Sequence, residues 1–174
     1  MGYEYKESEQ AGKQMAKEVK TNAMRILEQN KISYHVMTYI CDEFIEGTKV
    51  ADLVGMPYAE VFKTLVAVGK SGQFYVFVLP VDQELDLKKA AKAVEEKSVA
   101  MLPLKDLTKV TGYIRGGCTA IGMKKQYITV VDKSCEGLNL ITVSGGRPGC
   151  QVRMLVVDYI KVSKAKIDDI IASD

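Results

Sequence analysis

One histidine, His35, and no tryptophan occur in this chain of 174 residues. Its four cysteines (Cys41, Cys118, Cys135 and Cys150) lie far apart, with no Cys-x-x-Cys pair. A structural zinc site needs clustered sulfur or imidazole ligands at short spacing, and that pattern is missing, so the expectation is no metal and no other cofactor. The same scatter reads as reduced thiols in a cytoplasmic protein rather than as a disulfide framework. No apolar signal core opens the sequence, and no run approaches the roughly 20 apolar residues of a membrane span. A strong charge of either sign is absent too: 24 Lys and Arg face 22 Asp and Glu, a net of +2. Proteins that grip a long stretch of nucleic acid through its phosphates show a marked basic excess. Any nucleic-acid contact here is therefore local, or helped by a partner.

What is present is an ordinary globular composition, 47% apolar and 26% charged, enough for one domain with a sizeable core. Residues 1–14 are polar and aperiodic and read as a mobile tail; residues 15–174 form the domain, with Met15 a possible natural start. Thr21 is expected to cap a helix over 21–30 with Ala23, Ile26 and Leu27 inward. A strand follows at 33–40. Thr48 is expected to cap a short helix over 49–54, ended by Gly55. After a helical turn opened by Pro57, strands at 61–68 and 74–79 flank the hairpin signal Lys70-Ser71-Gly72. An amphipathic helix at 86–95 should point Leu87, Ala90, Ala91 and Val94 inward. A short strand at 98–102 and a short helix at 103–109 come next. Beyond them lie strands at 128–131, 138–143 and 151–157, and a last helix from Ser163 to Ala172. Helices and strands mix along the whole length, which predicts an α+β single domain: a mixed, strongly curved sheet with helices around it.

Three segments could carry chemistry. The stretch TGYIRGGCTAIGMKK, residues 111–125, holds four glycines and the cations Arg115, Lys124 and Lys125. Gly116-Gly117 lets backbone N–H groups approach a ligand closely, as in an anion nest or oxyanion hole. A tight connection between strands would use the same glycines, and spacing alone does not separate the two. The second cluster, SGGRPG at 144–149, reads as a hairpin loop, raised by the Ser144 hydroxyl at a strand end. The third is Lys63 inside VFKTLVAV, residues 61–68. An ammonium there must reach water, find an anion or shift its pKa; an edge-strand lysine whose stem packs fits equally. His35 could serve Ser144 or Cys118 as a base, but no elbow motif surrounds either, and a lone histidine is more often structural. Without a triad or metal, hydrolysis would rest on positioning and oxyanion stabilisation.

Six segments together resemble one family: the free-standing editing proteins related to the insertion domain of bacterial prolyl-tRNA synthetase, the YbaK/EbsC type. They are TNA at 21–23, VFKTLV at 61–66, ELDLKK at 84–89, TGYIRGG at 111–117, IGMKK at 121–125 and VSGG at 143–146. They stand in the family's order and spacing over about residues 17–172. The resemblance implies a barrel-like mixed sheet and an enzyme that hydrolyses the ester linking a wrong amino acid to tRNA, typically cysteine on tRNA(Pro). It also implies that no protein nucleophile is used, the thiol of the mischarged cysteine attacking its own carbonyl and leaving as a cyclic product. Lys63 would then contact the 3′-terminal adenosine or its phosphate. The Gly116 and Gly117 amides would hold the carbonyl or oxyanion, and Ser144 would line the aminoacyl pocket beside Tyr39. Thr64, Gly145 and Gly146 would join in binding, and Arg115, Lys124 and Lys125 would supply phosphate contacts. Prolyl-tRNA synthetase is the implied partner, presenting the tRNA.

The sequence departs from the family pattern at three places. Cys118-Thr119-Ala120 stands where a residue followed by Ser-Pro is usual, Arg147-Pro148-Gly149 replaces Lys-Arg-Gly, and Met37 occupies a position often held by histidine. These departures bear on which amino acid fits. Two further readings follow from them: a non-catalytic module binding tRNA, a nucleotide or a synthetase, and a deacylase for another small amino acid such as alanine.

Overall fold

The computed structural model describes residues 20–173; the expected tail at 1–14 and the domain start at Met15 lie outside them. Helix α1 (Asn22–Gln29) begins where expected, with the Thr21 hydroxyl accepting the Met24 N–H and Ala23, Met24 and Leu27 buried. Strand β1 (His35–Thr38) follows. Helix α2 (Gly47–Val54) starts after Glu46, which makes no side-chain cap, so Thr48 lies in its first turn and is not the cap; Gly55 ends it at φ +70°. A 3-10 turn at Tyr58–Glu60 leads into β2 (Phe62–Gly69), and β3 (Phe74–Pro80) runs back antiparallel to it. Helix α3 (Leu87–Ala93) is capped by the Asp86 carboxylate, which accepts the Lys88 and Lys89 N–H groups. Leu87, expected inward, is 44% exposed, because the first residue after the cap points away and the core face falls to Ala90, Ala91 and Ala93. Strand β4 (Val99–Met101) precedes a 3-10 turn (Leu104–Asp106) and α4 (Leu107–Thr111).

Strand β5 (Ile128–Asp132), a 3-10 turn (Lys133–Gly137), β6 (Leu140–Ser144) and β7 (Cys150–Leu155) follow the glycine stretch. The C-terminal expectation is corrected. The last helix, α5, is Val156–Ser163, and strand β8 (Lys166–Asp168) stands where a helix was expected. Ser163 ends the helix instead of starting one: its hydroxyl donates to the Tyr159 carbonyl and accepts the Ala165 N–H. Lys164 turns left-handed at φ +56°. The segment beyond is held extended by a partner distant in sequence, β5.

The single curved sheet expected from the pattern resolves into two. One has the order β1-β7-β6, all antiparallel; the other runs β4-β2-β3-β5-β8, antiparallel on the β4 side and parallel on the β5 side. One isolated parallel bridge, Val61 to Thr142, joins them where β2 begins. β3 shows why its sequence is apolar throughout. Val76 and Val78 enter the main core with Met24, Leu27 and Val152, while Tyr75, Phe77 and Leu79 enter a second core beneath α3. A strand covered on both faces loses the alternation of a half-exposed one.

The buried carboxylate of Asp132 ties the C-terminal segment down, accepting the Ser134 N–H at 3.0 Å and the Ile170 N–H at 3.1 Å. Asp132→Ala strands two backbone donors and should cost about 2–4 kcal/mol in urea unfolding. A loss below about 0.5 kcal/mol would show that this tie is dispensable. No helix among the described residues is long and apolar enough to cross a membrane.

Candidate active site

A cavity of about 330 Å³ opens between the start of β2, the end of β6 and the segments that flank α2 and α4. Its walls are mostly apolar: Val61, Phe62, Leu65 and Val66 from β2 and the residue before it, and Met101, Leu102, Leu104 and Leu107 from β4 and the segment after it. Into this lining the fold brings Tyr39, Lys63, Thr64, Arg115, Gly116 and Ser144, residues separated by up to about a hundred positions in sequence. Among the described lining residues there is no carboxylate. An apolar pocket with a few convergent polar groups is the usual form of a small-ligand site, and its two cations favour a ligand carrying negative charge.

Lys63 is half-buried, and its ammonium reaches the Val81 carbonyl at 3.4 Å. Burial pulls its pKa below the ordinary lysine value, while Glu84, Asp82 and Glu46 at longer range pull it partway back. Thr64 next to it presents a buried hydroxyl with no hydrogen-bond partner among the described residues. Such a group costs about 1–3 kcal/mol unless a ligand satisfies it. The Ser144 oxygen accepts the Gly146 N–H at 3.2 Å, which leaves its own O–H to donate elsewhere. Tyr39 is half-buried, and burial raises its pKa, so the phenol stays neutral near pH 7.

The two glycines at the tip of the 112–118 loop are needed for different reasons. Gly116 adopts φ +86°, which favours glycine over any side chain. Gly117 is short of space: a Cβ there would stand 2.7 Å from the Arg147 Cα and 2.8 Å from Pro148 Cδ. Gly117 therefore lets the two glycine loops touch. Its N–H donates to the Ile114 carbonyl at 3.0 Å and is not available to a ligand, whereas the Gly116 N–H has no partner among the described residues. Gly117 does not line the cavity, and neither do Gly145 and Gly146. Their N–H groups are spent on the Cys150 carbonyl and the Ser144 hydroxyl. Helix α1 fastens both loops: the Thr21 hydroxyl donates to the Gly145 carbonyl at 2.6 Å, and the Asn22 amide donates to the Gly122 carbonyl at 2.8 Å.

Other expected site residues fall elsewhere. Lys124 and Lys125 are exposed and outside the cavity. His35 is exposed at the head of β1 and does not line it either. Cys118 does line it, but burial pushes its thiol up to about 12, which makes it a poor nucleophile at neutral pH. Thr119 and Ala120, the departures expected to change amino-acid fit, are both buried and absent from the lining. Phe44 and Gln151 line the cavity and were not anticipated. The Phe44 ring carries the Arg115 guanidinium 3.6 Å from its centroid, a cation–π contact across the mouth. An isolated aromatic in the polar run CDEFIEG, residues 41–47, was the available signal for it.

The aminoacyl-tRNA editing domain family matches residues 47–162, two thirds of the chain. This chain belongs to the aminoacyl-tRNA editing family. A protein of Enterococcus faecalis with the provisional name Cys-tRNA(Pro)/Cys-tRNA(Cys) deacylase EbsC is 42% identical over 152 residues, covering 87% of this chain and 93% of that protein. A proline–tRNA ligase of Fervidobacterium nodosum is 30% identical over 96 residues, which are 55% of this chain and only 16% of the ligase. Among solved structures, one described provisionally as a trans-editing enzyme for prolyl tRNA synthetase superposes with a TM-score of 0.76. It is 22% identical, and the match covers 89% of this chain and 99% of that one. The hypothetical protein APE2540 superposes at 0.77 with 18% identity, over 87% and 99%. These two likenesses show that the editing-family member has their mixed α+β fold.

Proposed function

We propose that this editing-family protein is a trans-acting aminoacyl-tRNA deacylase, with cysteine wrongly attached to tRNA(Pro) as its preferred substrate. The observation that carries this reading is the convergence of Lys63, Thr64, Gly116 and Ser144 on one apolar cavity that holds two cations and no carboxylate among its described lining residues. An aminoacyl ester at the 3′ end of tRNA offers a phosphate for a cation, an ester carbonyl for an N–H donor, and a small side chain for an apolar wall.

In the reading we favour, the Lys63 ammonium engages the 3′-terminal adenosine or its phosphate, and Arg115 gives a further phosphate contact at the mouth. The ester carbonyl faces the Gly116 N–H, and the Ser144 hydroxyl and Tyr39 border the aminoacyl group. Thr64 gains the hydrogen-bond partner it lacks among the described residues. The substrate thiolate then attacks its own carbonyl carbon. A carbon–sulfur bond forms, the carbon–oxygen bond to the ribose breaks, and the ribose oxygen takes up the proton that the thiol gave up. Charge passes through the carbonyl oxygen, where a preorganised N–H is most effective. The protein supplies position and field rather than a nucleophile. The high pKa of the Cys118 thiol supports that division of labour.

The test is a deacylation panel of purified protein on Cys-tRNA(Pro), Ala-tRNA(Pro) and Ser-tRNA(Pro), with and without prolyl-tRNA synthetase. Thiol-driven release should favour cysteine over alanine by about 100-fold or more, since the intramolecular nucleophile is lost with alanine. Equal rates on the cysteine and alanine esters would exclude the thiol step and make this a deacylase with broader choice. Tight binding of tRNA with no release from any ester would replace the enzyme by a binding module. A rate gain on adding the synthetase would identify it as the partner that presents the tRNA.

A further inference from the structure

The charge of this chain is unevenly placed. Residues 104–126 hold Lys105, Lys109, Arg115, Lys124 and Lys125 against the single carboxylate Asp106, a net of +4, while the whole chain nets +2. The remainder is therefore negative by two. The excess sits on the segment that supplies Leu104, Leu107, Arg115, Gly116 and Cys118 to the cavity wall.

All four lysines are exposed, and none has an ion-pair or side-chain hydrogen-bond partner among the described residues. Lys20, Lys89 and Lys133, by contrast, face Glu28 or Asp169. The four are also ordered along one path. Lys105 lies in the 3-10 turn and Lys109 in α4, which follows it directly. Helix α4 ends on Gly112 at φ +87°, and the Lys124 stem lies over that glycine, its Cγ 3.3 Å from where a Cβ would be. The Lys124 N–H donates to the Thr111 carbonyl at 3.0 Å, which fixes the 124–125 turn against the end of α4. Arg115, on the same stretch of chain, lines the pocket and stacks on Phe44.

We infer that Lys105, Lys109, Lys124 and Lys125 form a docking face for the acceptor-stem backbone of the RNA whose 3′ end enters the cavity. The inference rests on the deacylase reading of that cavity. It also reconciles a near-neutral protein with a polyanionic partner: a concentrated patch beside the pocket serves where a charged whole surface is missing. Phosphate contacts of this kind position the RNA without reading its sequence.

The experiment compares wild type with the K105Q/K109Q/K124Q/K125Q variant, and with a control that removes the same charge elsewhere, K70Q/K92Q/K97Q/K161Q. The KM for Cys-tRNA(Pro) should rise about 10- to 100-fold in the first variant only, and the slope of log affinity against log salt should fall by roughly 0.7–0.9 per lost contact, about 3 in all. Hydrolysis of a cysteinyl-CCA trinucleotide, too short to reach the face, should be unchanged, as should the melting temperature. An unchanged KM and salt slope would overturn the inference, as would an equal effect of the control or an equal loss on the trinucleotide. Binding of an uncharged acceptor-stem minihelix, followed by anisotropy, reads the face without any hydrolysis. If wild type hydrolyses nothing, the deacylase reading fails while this binding still decides the docking face. Binding of the four lysines to phosphatidylserine vesicles, with none to the minihelix, would assign the face to a membrane surface and overturn the inference.

Discussion

Lys63→Met is expected to lower kcat/KM for Cys-tRNA(Pro) by about 100-fold, the scale of losing one preorganised electrostatic contact, while making the protein more resistant to heat. Methionine keeps the packed stem in β2 and removes only the charge, so the two effects come from one cause. Burial holds the Lys63 pKa below its ordinary value of 10.5. Between the folded and unfolded values, the unfolded chain binds more protons, so stability rises with pH there and the penalty is present in full below the folded value. The melting temperature of Lys63→Met should therefore exceed that of wild type at pH 7, and the gap should narrow as the pH is raised toward 10.5. Lys63→Ala should share the loss of activity without the gain, because it also removes stem packing. Full activity in either variant removes Lys63 from the mechanism. A wild-type advantage in stability at pH 7 would show that the ammonium is satisfied by its surroundings and not held for a ligand.

Gly117→Ala should be damaging although it adds only one methyl group. The new Cβ would meet backbone of Arg147 at 2.7 and 2.8 Å and the Pro148 ring at 2.8 Å, atoms that no side-chain rotation can move aside. Overpacking of this sort costs about 1–3 kcal/mol, and here it would also part the two loops that carry Gly116 and Ser144. Stability and activity should fall together, with kcat/KM reduced by about 100-fold, since a misplacement of about 1 Å is enough for that. Gly116→Ala is different: the space is ordinary, and the penalty comes from φ +86°, about 1–2 kcal/mol. Gly137 is the control, because nothing lies within 4 Å of a Cβ there and its φ is not positive; Gly137→Ala should be neutral in both measurements. Urea unfolding and deacylation of the three variants would separate these causes. A Gly117→Ala protein as stable and active as wild type would mean that the loops do not need their close contact.

Much of the local structure follows from neighbours in sequence, and these parts were readable without a fold. Thr21 caps α1 because its hydroxyl reaches an N–H three residues on. The hairpin between β2 and β3 follows from Lys70-Ser71-Gly72, and the Asp86 cap from two N–H groups within three residues. The resemblance of six segments to an editing family was legible for the same reason, as motif and spacing survive in one dimension. It led to Lys63, Thr64, Ser144 and Gly116, which the fold gathers on one cavity.

Only the tertiary structure decided the rest. Residues 166–168 become a strand because β5 is there to pair with them, and no local pattern announces a partner more than thirty residues away. The Gly117 N–H turns inward to Ile114, and its missing side chain answers to Arg147, thirty positions on. Thr119 and Ala120, the conspicuous departures in sequence, are buried, whereas Phe44, whose partner no local pattern names, meets Arg115 across the mouth. Residue type and spacing determined which chemistry this chain can offer. Which backbone donors remain open to a ligand, and which lysines face solvent beside the pocket, depended on packing between distant segments, because hydrogen bonds and excluded volume are settled in three dimensions.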